Sequence, residues 1–184
     1  ELQYTENIRS WLLLNIAKLK IADVVDASCG DFNWMQVVLP KLDVKYIGLD
    51  IVDTLIYNNR VKYSSEKVSF HVADICKDSL PKCDLIIVRD TLFHLSFYDV
   101  DKFLRNLSNS NYKYLLTTSH YVEPNFENTD IVTGAFRKID LFSKPFCFDN
   151  SKIVDRIPEN LTKSSKKREM ILIEKRFVPT HLSL

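Results

Sequence analysis

Three apolar runs in the first half of the chain end on an aspartate: IADVVD at Asp26, VKYIGLD at Asp50 and VSFHVAD at Asp74. Their length and β-branched content predict buried strands, and CDLIIV and YKYLLTT continue the series. Helical segments fall between them. Ile8, Trp11, Leu12, Ile16 and Leu19 recur at helical spacing and predict an amphipathic helix from Thr5 to Lys20. FNWMQVVL predicts a second helix, stopped by Pro40, and Asp53 is placed to cap a third running to about Val61. Ser96 and Asp99 form a capping box ahead of the apolar stripe Val100, Phe103, Leu104 and Leu107. Strands separated by helices pair in parallel through right-handed crossovers, so the expected fold is α/β, a doubly wound, mostly parallel sheet with helices on both faces. Beyond Thr118 the periodicity fades. KPFCFDN and REMILIEKRF are expected as two final strands, making seven with the last antiparallel, and the basic TKSSKKR as a solvated hairpin loop between them.

A chain of 184 residues suits one domain, 1–184, able to bury its own core. Lys and Arg number 25 against 24 Asp and Glu, which gives no broad nucleic-acid or membrane surface and points to a small partner. The four cysteines form no Cys-x-x-Cys pair and the histidines complete no zinc pattern, so no metal is expected and reduced thiols in a cytoplasmic protein are the simplest reading. The apolar run Trp11 to Leu14 is too short to span a bilayer.

In open α/β sheets ligands bind beyond the carboxyl ends of the strands, where strand order reverses. Attention therefore falls on Asp26, Ala27, Gly30 and Asp31 after the first strand, Asp50 and Ile51 after the second, Asp74 and Ile75 after the third, and Arg89 to His94 after the fourth. A single Asp there is more often a cap or loop residue than a ligand; three together favour a ligand. A dinucleotide site needs G-x-G-x-x-G for its pyrophosphate, and only Gly30 is present here. A nucleoside without phosphates asks for less: one close backbone approach, an acid for the ribose diol and an apolar slot for the base. Asp50, 24 positions after Asp26, suits the ribose, while Asp74, Ile51 and Ile75 suit adenine. The implied cofactor is S-adenosylmethionine (SAM).

On these segments the chain resembles the class I SAM-dependent methyltransferases over Ile8 to Thr118. VVDASCGDF resembles the family's acid-x-Gly-x-Gly-x-Gly motif, with Asp26 and the central Gly30 matching and Ser28 and Phe32 in place of the outer glycines. CGDFNWM and RDTLFHL are also similar to segments of bacterial methyltransferase-like sequences. The resemblance implies a Rossmann-like fold with Asp50 on the ribose, Asp74 and Ile75 at adenine, and Arg89 in the motif after the fourth strand. Asp31 would bind the cofactor ammonium or cap the helix at Phe32. For an acceptor hydroxyl the candidate bases are His94, Asp90 and His120, His94 first because an ordinary imidazole titrates near neutral pH. Packing or capping explains His94 equally well. The aperiodic stretch 119–148 is expected as an acceptor-binding insertion or lid, with Tyr121 and Arg137 touching a small-molecule or glycan acceptor of the kind used in polysaccharide biosynthesis. Ordinary loop residues are the competing explanation. Two functions are compatible with these residues: methyl transfer to such an acceptor at a hydroxyl oxygen, or a non-catalytic SAM-binding or partner subunit that keeps the fold.

Overall fold

In the computed structural model, residues 2–159 and 167–183 are described. Seven strands form one sheet: β1 (Asp23–Ala27), β2 (Lys45–Asp50), β3 (Val68–Val72), β4 (Leu85–Val88), β5 (Tyr114–His120), β6 (Ile153–Pro158) and β7 (Arg168–Glu174). Their spatial order is β3-β2-β1-β4-β5-β7-β6. The first five pair in parallel, and β7 runs antiparallel between β5 and β6. The order reverses between β1 and β4, which opens a crevice at their carboxyl ends.

Because side chains alternate along a strand, the sheet feeds two cores. Val25, Leu49, Ile86, Val88, Leu115, Ile171 and Ile173 point to one face, under helix α4 (Phe97–Asn109) with its buried Val100, Phe103, Leu104 and Leu107. Val24, Tyr46, Phe70, Leu85, Ile87, Leu116, Met170 and Leu172 point to the other, under α1 (Glu6–Asn15), α2 (Met35–Val38) and α3 (Asp53–Tyr63). The inner strands β4 and β7 are covered on both faces, which is why they read as continuous apolar runs. The Ser96 cap is present, its Oγ accepting from Asp99 N at 3.2 Å. No helix among the described residues is long and apolar enough to cross a membrane.

Several expectations are corrected. The first helix ends at Asn15, before Leu19. The helix expected over FNWMQVVL shrinks to Met35–Val38 followed by a 3-10 turn at Leu39–Lys41, because Phe32 has φ +61° and breaks the helical path at its start. Asp53 is the first residue of α3 rather than its cap. His120 is the last residue of β5, not a residue beyond it. KPFCFDN is no strand: Phe146 and Phe148 both enter the α4-side core, and the chain turns on itself with Phe148 N donating to Leu141 O at 2.9 Å. The missing strand is Ile153–Pro158, an edge strand exposed along most of its length and therefore without an apolar pattern. The predicted loop TKSSKKR lies outside the described residues except for Lys167 and Arg168.

Candidate functional site

The loop after β1 is built on three alternate residues with left-handed backbones: Ser28 at φ +71°, Gly30 at +56° and Phe32 at +61°. A side chain in this region costs roughly 1–2 kcal/mol, so the two non-glycines need compensation. Ser28 Oγ shares a hydrogen bond with Thr91 Oγ1 across the crevice from β1 to the post-β4 turn. Phe32 turns its ring into the core, where the rings of Tyr46, Tyr63 and Phe70 lie 5.3, 5.0 and 5.0 Å away. Gly30 is held at both ends, its N–H donating to Asp50 Oδ2 at 3.0 Å and its carbonyl accepting from Asn59 Nδ2 at 2.8 Å. A Cβ built on Gly30 would meet nothing within 4 Å, so this backbone faces open space.

Asp50 accepts from Gly30 N through Oδ2 and from Val52 N at 2.9 Å through Oδ1. A carboxylate offers about four acceptor directions, so those two bonds leave capacity for a diol. Ile51 beside it is 65% exposed, an apolar side chain uncovered at a strand end. Asp74 accepts from Cys76 N at 3.0 Å and pairs with Lys77 at 2.7 Å, the hydrogen bond from Lys77 holding its carboxyl below the ordinary value. Ile75 is buried, its carbonyl accepting from Asn106 Nδ2 at 2.8 Å. Asp26 lies deeper than Asp50 on the same face of the sheet. It is buried and accepts from the Tyr46 hydroxyl at 2.8 Å, and desolvation pushes its carboxyl up to about 7. Ala27, also buried, ends β1. Asp31 accepts from Asn33 N at 3.0 Å, making a local turn rather than capping a helix, since α2 begins only at Met35.

Beyond β4 lies a four-charge network. Arg89 donates to Glu159 Oε1 from Nε and Nη2, at 3.0 and 2.8 Å, and pairs through Nη1 with Asp90 Oδ2 at 3.0 Å. Arg168 donates to Asp90 Oδ2 at 2.9 Å and to Glu159 Oε2. The guanidinium of Arg89 also lies 5.8 Å from the Trp34 ring. Burial pushes the Asp90 carboxyl up while Arg89 and Arg168 pull it down. The structure thus joins Arg89 and Asp90 to each other and to the β6 and β7 ends.

His94 lies next in the chain, in a 3-10 turn, its ring 4.6 Å from Phe93 and 5.9 Å from Phe136. Nδ1 lies 2.7 Å from the Ala135 carbonyl, which can only accept, so Nδ1 carries the proton and Nε2 the lone pair. His120 is buried against Phe93 and Phe136, with Nδ1 accepting from Ile139 N at 3.3 Å. His94 and His120 therefore share one aromatic cluster. Tyr121 is tied elsewhere, donating to Glu169 Oε2 at 2.9 Å, and that bond comes second to burial in raising its hydroxyl to about 12. Arg137 is buried beside Phe97, and desolvation lowers its guanidinium from the ordinary value.

Sequence reasoning missed Asn59, Glu159 and Gly48. The last carried a signal, because a mid-strand glycine marks a close approach: a Cβ there would stand 2.6 Å from the Phe70 ring and 2.9 Å from Cys29 Sγ. A cleft of about 400 Å³ lined by Phe32, Gln36, Leu39, Tyr63 and Val68 shares only Phe32 with this site; Val68 starts β3, at the amino end of the sheet.

No family model matches the chain, and no curated protein matches it. Solved structures do. Magnesium protoporphyrin IX methyltransferase from Synechocystis PCC 6803 with bound SAH is 14% identical, over 94% of this chain and 82% of its own, with a TM-score of 0.68. The 1,6-didemethyltoxoflavin-N1-methyltransferase of Burkholderia thailandensis, with its substrate and S-adenosylhomocysteine, is 13% identical over 94% and 78%, TM-score 0.70. Human N-acetylserotonin methyltransferase in complex with SAM is 14% identical over 94% of this chain but 55% of its own, TM-score 0.60, so the chain spans about half of that protein. What is shared is the fold: an α/β, Rossmann-like class I methyltransferase sheet.

Proposed function

We propose that the chain is a SAM-dependent methyltransferase acting at a hydroxyl oxygen of a small molecule or glycan. The observation that carries this reading is the β1 loop, which keeps left-handed backbones at all three positions of the glycine motif although only Gly30 is glycine. Retaining that path at the cost of two strained residues is hard to explain by turning a strand into a four-residue helix. It is explained by a backbone that must approach a ligand at Gly30, and the fold shared with structures bound to SAM, SAH or S-adenosylhomocysteine supports the ligand's class.

The residues fit such a cofactor. Gly30 faces open space, Asp50 keeps acceptor capacity for a ribose diol, and exposed Ile51 with Ile75 offers apolar cover for adenine beside Asp74. Bound there, SAM supplies a methyl group already activated by its sulfonium. The protein's share is then alignment and removal of one proton from the acceptor. His94 Nε2 takes that proton, because the Ala135 carbonyl fixes the opposite tautomer and steadies the imidazolium that results. Asp90, committed to two arginines, acts by position: it holds the post-β4 turn to Arg168, while its neighbour Thr91 meets Ser28. Tyr121 and Arg137 are assigned to the acceptor side, and the exposed stretch near residues 129–136 to its cover.

Screening acceptors by S-adenosylhomocysteine release tests the reading. His94→Ala is expected to leave cofactor affinity within a few-fold and lower turnover by about 10² or more, the scale of a lost general base. Normal turnover in that variant refutes base catalysis at His94. Cofactor binding with no turnover on any acceptor would favour a non-catalytic subunit.

A further inference from the structure

The irregular segment between β5 and β6 closes on itself where Asn128 Nδ2 donates to the carbonyls of Asp140 and Lys144, both at 2.8 Å. The closed loop lies across the start of α4. Phe97 N donates to Asp130 Oδ1 at 2.7 Å, and Ser96 N to Thr133 Oγ1 at 2.9 Å. These amides belong to the donors a helix leaves unpaired in its first turn, and with the dipole of a 13-residue helix behind them they favour an anion. Asp130 meets that demand from a side chain that is itself 55% exposed.

Arg137 belongs to the same loop and lies under it. Its side chain is 4% exposed, and Nε, Nη1 and Nη2 have no hydrogen-bond partner among the described residues. The guanidinium stacks on the Phe97 ring at 4.7 Å, and Asp130 Oδ1 is 3.8 Å from Nη1, too far for a hydrogen bond. A planar fork of five donors held out of water and left unmade is a costly arrangement for a fold to retain. Asp130 does not satisfy it, since Oδ1 already accepts from Phe97 N and from Ile131 N at 2.8 Å. One carboxylate therefore stands beside two features that each call for an anion, and serves only one of them.

We infer that Arg137 and the first amides of α4 form a subsite for an anionic group, a carboxylate or phosphate, carried by the methyl acceptor, with Asp130 as the occupant in its absence. The role given to the acceptor rests on the methyltransferase reading; the subsite itself does not. An entering anion displaces Asp130 and makes bidentate contact with Arg137. The same loop sends Ala135 O to His94 Nδ1 and Gly134 N to His94 O at 2.7 Å, so occupation of the subsite bears directly on the residue that receives the proton.

The test is calorimetric titration of the full chain with inorganic phosphate, phenyl phosphate and benzoate at fixed ionic strength. Asp130→Asn, which removes the competing charge, is expected to tighten binding of these probes by about tenfold, and Arg137→Met to weaken it by at least as much. Arg137→Lys, which keeps charge without the fork, separates a folding defect from lost recognition and is expected to fall between Met and wild type. Tighter binding of phenyl phosphate than of inorganic phosphate assigns the anion to an organic acceptor; the reverse order assigns the subsite to free phosphate and overturns the acceptor role. Equal affinities in wild type, Asp130→Asn and Arg137→Met overturn the subsite. A parallel titration with S-adenosylhomocysteine keeps the two readings apart: its failure beside Arg137-dependent phosphate binding removes the methyltransferase and leaves the anion site.

Discussion

At the scale of single residues, Asp26 and Phe32 show how the loop is kept in place from beneath. Asp26 is buried with a carboxyl raised to about 7, so between the ordinary carboxyl range and about pH 7 the folded chain holds a proton that the unfolded chain has released. Stability therefore falls as pH rises through that window, by up to roughly 1.4 kcal/mol per pH unit, and the loss is complete above it. Asp26→Asn keeps an acceptor for the Tyr46 hydroxyl and is expected to flatten this slope, measured as urea midpoints at about pH 5 and about pH 7. An unchanged slope would mean that Asp26 is already ionised in the fold. Phe32→Ala removes the ring packed on Tyr46, Tyr63 and Phe70 and is expected to cost about 3 kcal/mol or more in the same measurement. A cost under about 1 kcal/mol would show that the ring does not offset its left-handed backbone.

At the scale of elements, the β6–β7 hairpin is fastened to the post-β4 turn through Glu159, whose side chain is 1% exposed between Arg89 and Arg168. Glu159→Ala leaves two guanidinium groups, 9% and 17% exposed, to share the Asp90 carboxylate and is expected to destabilise the chain by about 3 kcal/mol. A urea midpoint close to wild type would contradict that. None of this fastening is legible in the sequence, because Glu159 reaches Arg89, and Arg168 reaches Asp90, only through the placement of β7 between β5 and β6. Elements buried on both faces are legible: β1, β2, β4 and β5 fall in largely apolar stretches because their side chains are covered above and below the sheet. β6 is not, since an edge strand exposed on most of its length has no apolar period. The two phenylalanines of KPFCFDN imitate a strand by spacing, yet tertiary packing draws both into one core.

For the whole molecule, the site is readable where chemistry and chain order coincide. Asp50, Gly30, Ile51 and Ile75 stand out as the residues next in line after each strand, because the sheet places all those ends on one edge. Asp26 stands out by the same rule and shares the sheet face of Asp50, but it is buried and its carboxylate is engaged by the Tyr46 hydroxyl beneath the strand end. The left-handed path at Ser28 and Phe32 is hidden by the absence of glycine, the usual marker of that conformation. Survival of that path without glycine carries the functional reading, so cofactor binding at Gly30 is the decisive measurement. Calorimetry with S-adenosylhomocysteine should show binding to the wild-type chain, and loss of it in Gly30→Val with the circular dichroism spectrum retained. Absence of binding to wild type, or equal binding by the folded variant, would contradict the assignment of this loop to a nucleoside cofactor.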